Sequence, residues 1–247
     1  MDDAQLLRYS RQIMLPQIDV AGQEKLRGSS VLIVGLGGLG SPAALYLAAA
    51  GVGHLLLADD DSVDLSNLQR QILHTQNNIG QAKTQSAIAA LEAINPDTRL
   101  TAINSRLQGD VMETTVEQAD VIVDASDNFA TRFALNQACL KFSKPLVSGA
   151  VIRMEGQITV FDCRRADSPC YRCLYPDMVE IAETCSENGV LAPVVGIIGS
   201  IQATETIKLL LQLGNTLTGR LLLLDAMTME WRNIALPRDP ACPSCGQ

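Results

Sequence analysis

The sequence predicts an α/β protein: a Rossmann-like, mostly parallel sheet with helices on both faces, antiparallel C-terminal strands and a zinc-binding elaboration. Three observations predict it. Short apolar runs at 31–34, 55–58 and 121–123 are bounded by glycines or acids, as strands buried on both faces are. Helix-forming stretches separate them, which is the rhythm of βαβ units. Two Cys-x-x-Cys pairs, Cys170/Cys173 and Cys242/Cys245, stand outside that rhythm in the last third of the chain.

The elements follow in order. Residues 2–15 read as an amphipathic helix stopped by Pro16, with Leu6, Leu7 and Ile13 apolar and Arg8 and Arg11 three apart on one side. After the strand at 31–34 come a glycine-rich turn and an alanine-rich helix reaching Ala50-Gly51. The strand at 55–58 runs into Asp59-Asp60-Asp61. A helix near 82–94 carries Ala87, Ile88, Leu91 and Ile94 on one face and stops at Asn95-Pro96, and a strand near 99–103 follows. Asp110 and Glu113 fit the cap and third position of the next helix. The strand at 121–123 ends in Asp124, and a helix near 129–142 leads to a strand at 145–147. Beyond residue 150 the pattern changes to a strand at 157–161 and a loop at 166–192. A long apolar helix over 193–213 is expected to be capped by Gly214, and strands at 221–224 and 230–236 close the sheet. No linker rich in Gly, Ser or Pro divides the 247 residues, so a single domain is expected.

Composition narrows the function. With 47% apolar residues the chain can offset the entropy of ordering, which excludes disorder. A net charge of −8 argues against general nucleic-acid binding through a basic surface. No 18 consecutive apolar residues occur, so no membrane span is expected. The acidic start, Met1-Asp2-Asp3-Ala4-Gln5, lacks the features of a secretory signal, and a cytoplasmic location is the expectation. Seven cysteines, an odd number, make a poor disulfide framework in that compartment.

Gly35-Leu36-Gly37-Gly38-Leu39-Gly40 contains G-x-G-x-x-G directly after a predicted strand. Such glycines let the backbone approach a phosphate while free N–H groups and the helix dipole hold the anion. Asp59 follows 19 residues beyond Gly40, where a carboxylate can accept hydrogen bonds from ribose hydroxyls. This much suits an NAD enzyme and an adenylate-forming enzyme equally. The polar stretch 64–70, with Asn67 and Arg70, and Lys83 at the next helix start favour a triphosphate, because fixed cations stabilise charge that builds during displacement. Asp127, past the strand ending at Asp124, can hold Mg²⁺ against phosphates or can cap the following helix. The four paired cysteines supply soft thiolates suited to a closed, structural tetrahedral Zn²⁺, with redox chemistry as the alternative, although 68 residues separate the pairs. Cys139 is expected in the core, Cys163 carries no assignment, and His54 and His74 read as structural.

Arg8-Tyr9-Ser10-Arg11-Gln12, the glycine turn, Ala50-Gly51-Val52-Gly53, Leu65-Ser66-Asn67-Leu68-Gln69-Arg70-Gln71, Asp127-Asn128 and Cys170-Tyr171-Arg172-Cys173 occur in this order along essentially the whole chain. Together they resemble the ubiquitin-activating-enzyme-like adenylyltransferases that activate bacterial sulfur-carrier proteins. Ser148 to Gln157 and Asp225 to Thr228 are similar to the molybdopterin branch. Ser41 to Leu47, Leu57 to Asp61 and Cys173 to Asp177 are similar to the thiamine branch, so the carrier stays open. The resemblance implies ATP over Gly38 with ribose on Asp59, and phosphates held by Asn67, Arg70 and Lys83. Ser66, Leu68, Gln69 and Asn128 belong to the same nucleotide segments, and Asp127 holds Mg²⁺. It implies that Arg11 reaches the partner subunit of a homodimer, and that a separate sulfurtransferase supplies sulfur. Residues 1–27 are then a helical arm, 28–150 the nucleotide-binding half, and 151–247 the carrier-binding and zinc half. Cys185 matches a family cysteine that in the thiamine branch links to the carrier, although flanking acids oppose thiolate formation. Alternatives are an NAD-dependent oxidoreductase, a zinc-stabilised binding protein without chemistry, and adenylation of another carboxylate or of tRNA.

Overall fold

The computed structural model describes residues 1–176 and 189–246. Among them a sheet of eight strands runs in the order β3-β2-β1-β4-β5-β6-β7-β8. Strands β1 (Ser30–Val34), β2 (His54–Ala58), β3 (Arg99–Ile103), β4 (Val121–Asp124) and β5 (Leu146–Ile152) are parallel. Strands β6 (Glu155–Phe161), β7 (Arg220–Asp225) and β8 (Glu230–Ala235) continue antiparallel. The expected mixed sheet is therefore present, and it reverses strand order beside β1, where ligands bind in such sheets.

The uninterrupted apolar runs have the cause expected of them. Val31 and Ile33 of β1, Leu55 and Leu57 of β2, and Val121 and Val123 of β4 enter one core. Helices α4 (Gly40–Ala49), α5 (Lys83–Ile94) and α9 (Ala192–Leu211) cover that core. The alternate residues Leu32, Val34, Leu56 and Ile122 enter a second core under α6 (Gly109–Gln118) and α7 (Phe129–Lys141). Helix α9 is long and apolar enough to cross a bilayer by length and composition. In the fold, its Val194, Ile198 and Leu209 pack in the first core.

Several boundaries differ from expectation. The helix expected over 2–15 breaks into α1 (Asp3–Arg8) and α2 (Ser10–Ile13) at Tyr9, which has φ −94° and ψ 5°. Tyr9 is drawn into the interior, where its hydroxyl accepts a 2.8 Å hydrogen bond from Asn95 and its ring lies against Gly51. The break separates the two arginines: Arg8 donates to the Ile94 carbonyl at 2.9 Å, and Arg11 is exposed. Leu7, expected on an apolar face, is 77% exposed. A further helix, α3 (Asp19–Arg27), completes the arm. Helix α6 is capped by Gln108, so Asp110 sits in its first turn instead of capping it. Helix α9 ends at Leu211, two residues short of the expected 213, because Gln212 itself adopts the left-handed capping conformation at φ 59°. The loop expected over 166–192 includes a short helix, α8 (Tyr171–Leu174).

Candidate active site

The glycine turn between β1 and α4 forms one wall of a cavity of ≈ 690 Å³. Gly35 has φ +90°, and a Cβ there would stand 2.7 Å from the Ala125 carbonyl oxygen, so both conformation and space require glycine. The cavity is lined by Gly38, Asp59, Arg70, Lys83, Asp127 and Asn128 among others. Six of the residues singled out in the sequence thus converge from the segments after β1, β2 and β4 and from the start of α5.

Asp59 lies directly after β2 and accepts from the Leu36 N–H at 2.7 Å, tying the glycine turn to the second strand, and from the Asp61 N–H at 2.9 Å. Burial pushes its carboxyl above the usual range, against the opposing pull of Lys83 and of these N–H groups. Lys83, the first residue of α5, is buried with its Nζ 2.7 Å from Asp61 and 3.7 Å from Asp59. Asp64 opens a 3₁₀ turn over Leu65–Asn67 and accepts from the Ser66 N–H at 2.8 Å. Arg70 then donates to the Ser66 carbonyl at 3.0 Å, which orients the guanidinium at the cavity wall.

Asp127 is exposed at the mouth of the loop between β4 and α7. The helix-capping role weighed for it belongs to Asn128, whose side-chain oxygen accepts from the Thr131 N–H at 2.9 Å. The Asn128 amide lies 3.5 Å from the Asp127 carboxylate. Ser66, Asn67, Leu68 and Gln69 do not line the cavity. Asn67 instead accepts from the Asp64 N–H at 3.2 Å. Arg11 also lies outside the cavity wall. Cys185 falls outside the described residues.

Arg106, Arg132, Tyr175 and Arg232 line the cavity as well and were not singled out in the sequence. Arg132 had a readable signal, since it lies four residues past Asn128 and hence on the same helical face. The others come from distant loops and strands with no local pattern. His54 bonds to Thr101 at 2.9 Å and His74 to Ser86 at 2.8 Å and the Leu36 carbonyl at 3.0 Å, as structural histidines do.

The two cysteine pairs meet despite their separation in sequence. Cys170 Sγ is 3.7 Å from Cys242 Sγ, Cys173 Sγ is 3.5 Å from Cys245 Sγ, and all four sulfurs lie within 4.8 Å of one another. Zn–S bonds of about 2.3 Å in a tetrahedron place sulfurs about 3.8 Å apart, so the cluster has the dimensions for such an ion. Burial pushes the Cys170 thiol far up and the Cys245 thiol to about 11. At Cys242 burial is outweighed by the Cys245 and Ser244 N–H groups, which hold that thiol below its ordinary value. A cation is what would hold Cys170 and Cys245 as thiolates. Cys139 is buried in the second core, and Cys163 donates to its carbonyl at 3.3 Å.

The pattern of the ThiF family matches residues 9–244. The molybdopterin-synthase adenylyltransferase of Escherichia coli (strain K12) is 50% identical over 247 residues, covering 100% of this chain and 99% of that protein. The sulfur carrier protein ThiS adenylyltransferase of the same strain is 49% identical over 246 residues, covering 100% and 97%. The crystal structure of Escherichia coli MccB with ATP is similar in fold, with a TM-score of 0.84 over 97% of this chain and 75% of that one, at 22% identity.

Proposed function

The chain belongs to the ThiF family, and from that premise we propose that it is an ATP-dependent adenylyltransferase acting on a small sulfur-carrier protein. The substrate group is the carrier's C-terminal Gly-Gly carboxylate. The observation that carries this reading is the convergence of Gly38, Asp59, Arg70, Lys83 and Asp127 on one cavity. The near-equal likeness to the molybdopterin and thiamine enzymes leaves both carriers as substrates to be tried.

In this reading a carboxylate oxygen of the carrier attacks the α-phosphorus, the bond to the bridging oxygen breaks, and pyrophosphate leaves with its electron pair. The product is a mixed acyl-phosphate anhydride, primed for sulfur transfer by a separate sulfurtransferase. Asp59 accepts from the ribose, the glycine turn admits the phosphates, and Arg70 and Lys83 stabilise the charge that develops on the leaving oxygens. Asp127 would hold Mg²⁺, which when bound neutralises phosphate charge. Its residue fits that role: the carboxylate is exposed at the cavity and no basic side chain pairs with it among the described residues. The four cysteines would hold Zn²⁺ as a staple between α8 and the C-terminal segment. A homodimer is part of the proposal, with Arg11 acting in the partner's cavity and the exposed Met14, Leu15, Tyr46 and Ile72 supplying apolar contact surface.

The glycine turn and Asp59 would also admit NAD, and it is Arg70 and Lys83 on the cavity wall that favour a triphosphate instead. ATP–pyrophosphate exchange with purified carriers of both kinds tests the proposal. Exchange that requires the carrier and vanishes when its last glycine is removed is the expected result. Silence with both carriers, together with NAD binding, would overturn it.

A further inference from the structure

Arg132 is 8% exposed and charged, and it sits one helical turn past the cap of α7. One amino group, Nη2, donates to the Ser126 carbonyl at 2.6 Å and to the Gly149 carbonyl of β5 at 3.2 Å. Its Nε stands 4.0 Å from the Asp124 carboxylate. Asp124, fully buried, accepts from the Ser126 N–H at 3.1 Å, the Ser126 hydroxyl at 2.6 Å and the Ser148 hydroxyl at 3.0 Å. Ser126 immediately precedes Asp127. Its donors are therefore taken by Asp124 and its acceptor by Arg132, so the peptide leading into Asp127 is held from both sides. Gln202 of α9 braces the same corner by donating to the Asp124 carbonyl at 2.7 Å.

Stability alone is a weak reason for this pair, because an apolar pair of similar volume in a core is often as stable or more so. What a guanidinium adds is a planar fork of fixed geometry. We propose that Arg132 is a positioning residue for Asp127: by fixing the Ser126 carbonyl against β5, it sets where the Asp127 carboxylate meets the divalent cation and the phosphates. This inference rests on the adenylating reading of the cavity.

Arg132→Lys tests it, since an ammonium keeps the charge beside Asp124 but is a point donor without the planar fork. Three quantities are read: kcat and KM for ATP in pyrophosphate exchange, Mn²⁺ affinity by electron paramagnetic resonance with a non-hydrolysable ATP analogue, and Tm. A displaced carboxylate is expected to lower kcat by up to about 10²-fold and to weaken Mn²⁺ binding by about tenfold, with KM for ATP changed little. Ser126→Gly loosens the same peptide while leaving Arg132 and Asp124 in place. It is expected to shift both quantities in the same direction, and it carries the test if the lysine variant does not fold. Folded variants with wild-type kcat and Mn²⁺ affinity would overturn the inference. So would a loss of kcat with Mn²⁺ affinity intact, which would place Arg132 on the substrate. A wild-type protein silent in exchange would instead overturn the adenylating reading itself.

Discussion

The imidazole of His74 joins the glycine turn to α5: Nε2 donates to the Leu36 carbonyl at 3.0 Å, and Nδ1 accepts from the Ser86 hydroxyl at 2.8 Å. A carbonyl can only accept, so Nε2 carries a proton, and Nδ1 accepts from Ser86 in the neutral ring that burial favours. Burial lowers the pKa of this imidazole from the ordinary 6.5, with the nearby Lys83 adding to the effect and the Leu36 carbonyl opposing it. The unfolded chain therefore binds the proton more readily than the folded one. Stability contributed by the neutral ring is present above about pH 6.5 and is lost as pH falls through the depressed folded value. Melting temperature measured from pH 8 to pH 5 should fall more steeply in the wild type than in His74→Gln, whatever the offset between them. Parallel curves would show that His74 is not the coupled group.

Asp59 has the opposite sign. Its folded pKa is raised, chiefly by burial, so relative stability is present below the ordinary carboxylate value and is lost as pH rises through the folded one. At neutral pH the ionised carboxylate thus opposes folding, and its retention points to function. Asp59→Asn removes the charge and keeps one oxygen to accept from Leu36. Its NH2 gives up the bond from the exposed Asp61 N–H, which water can replace, and Lys83 retains Asp61 at 2.7 Å. The variant should melt at or above the wild-type temperature at pH 7.5. Its ATP affinity should fall by roughly tenfold or more, as expected for a lost charge-assisted hydrogen bond of about 1.5–3 kcal/mol. A lower Tm with unchanged ATP affinity by calorimetry would refute both halves.

The strands around this site were legible because β1, β2 and β4 are buried on both faces, and such burial leaves an unbroken apolar run. The place of Asp59, Lys83 and Asp127 on the cavity wall was legible because each lies just past a strand's carboxyl end or at the start of the next helix, the edge of the sheet where ligands bind. The break at Tyr9 was not legible, since the residues that cause it, Gly51 and Asn95, lie 42 and 86 positions away. Residues 2–15 alone satisfy helical spacing. Ser66 to Gln69 share a polar segment with Arg70, but which side of a 3₁₀ turn faces a cavity depends on packing that no local spacing records. The cysteine pairs were legible as a ligand set, and their meeting across 68 residues rests on the return of the chain through α9 and β7–β8.

That return makes metal removal a sharp experiment. Asn136 of α7 accepts from the Tyr171 N–H at 2.8 Å, and Gln137 donates to Ser244 at 2.7 Å, so both halves of the cluster are also tied to α7. Elemental analysis of protein purified without chelator should find one zinc per chain. A strong chelator, or Cys173→Ser, should lower Tm while leaving the parallel strands folded, because the cluster staples the C-terminal segment and not the βαβ core. Structural zinc sites in small peptides bind with an apparent free energy of about 10–16 kcal/mol, an upper bound here because α7 contacts remain. Absence of metal, with Tm unaffected by replacing Cys170, Cys173, Cys242 or Cys245 with serine, would refute the zinc assignment.

Arg11 bears on the assembly. It is exposed on α2, and the cavity of its own chain is lined without it. An exposed arginine in a surface pair contributes only about 0–1 kcal/mol, and its replacement would then leave exchange intact. If Arg11 instead enters the partner's cavity, it adds a guanidinium where charge builds on the phosphates. Arg11→Ala and Asp127→Ala should then each be inactive alone, the latter by about 10²–10³-fold if its loss matches that of one charge-stabilising group. Unfolded and refolded together, the two variants would on that proposal form mixed dimers. In these, the Arg11→Ala subunit keeps its own Asp127 and receives Arg11 from its partner, so one cavity per mixed dimer is complete. Random pairing makes half of the dimers mixed, and about a quarter of wild-type exchange should return. Were Arg11 to act within its own chain, every cavity in the mixture would lack one group. Mixed dimers confirmed by native mass spectrometry, with no recovery of exchange, would rule out the crossed arrangement.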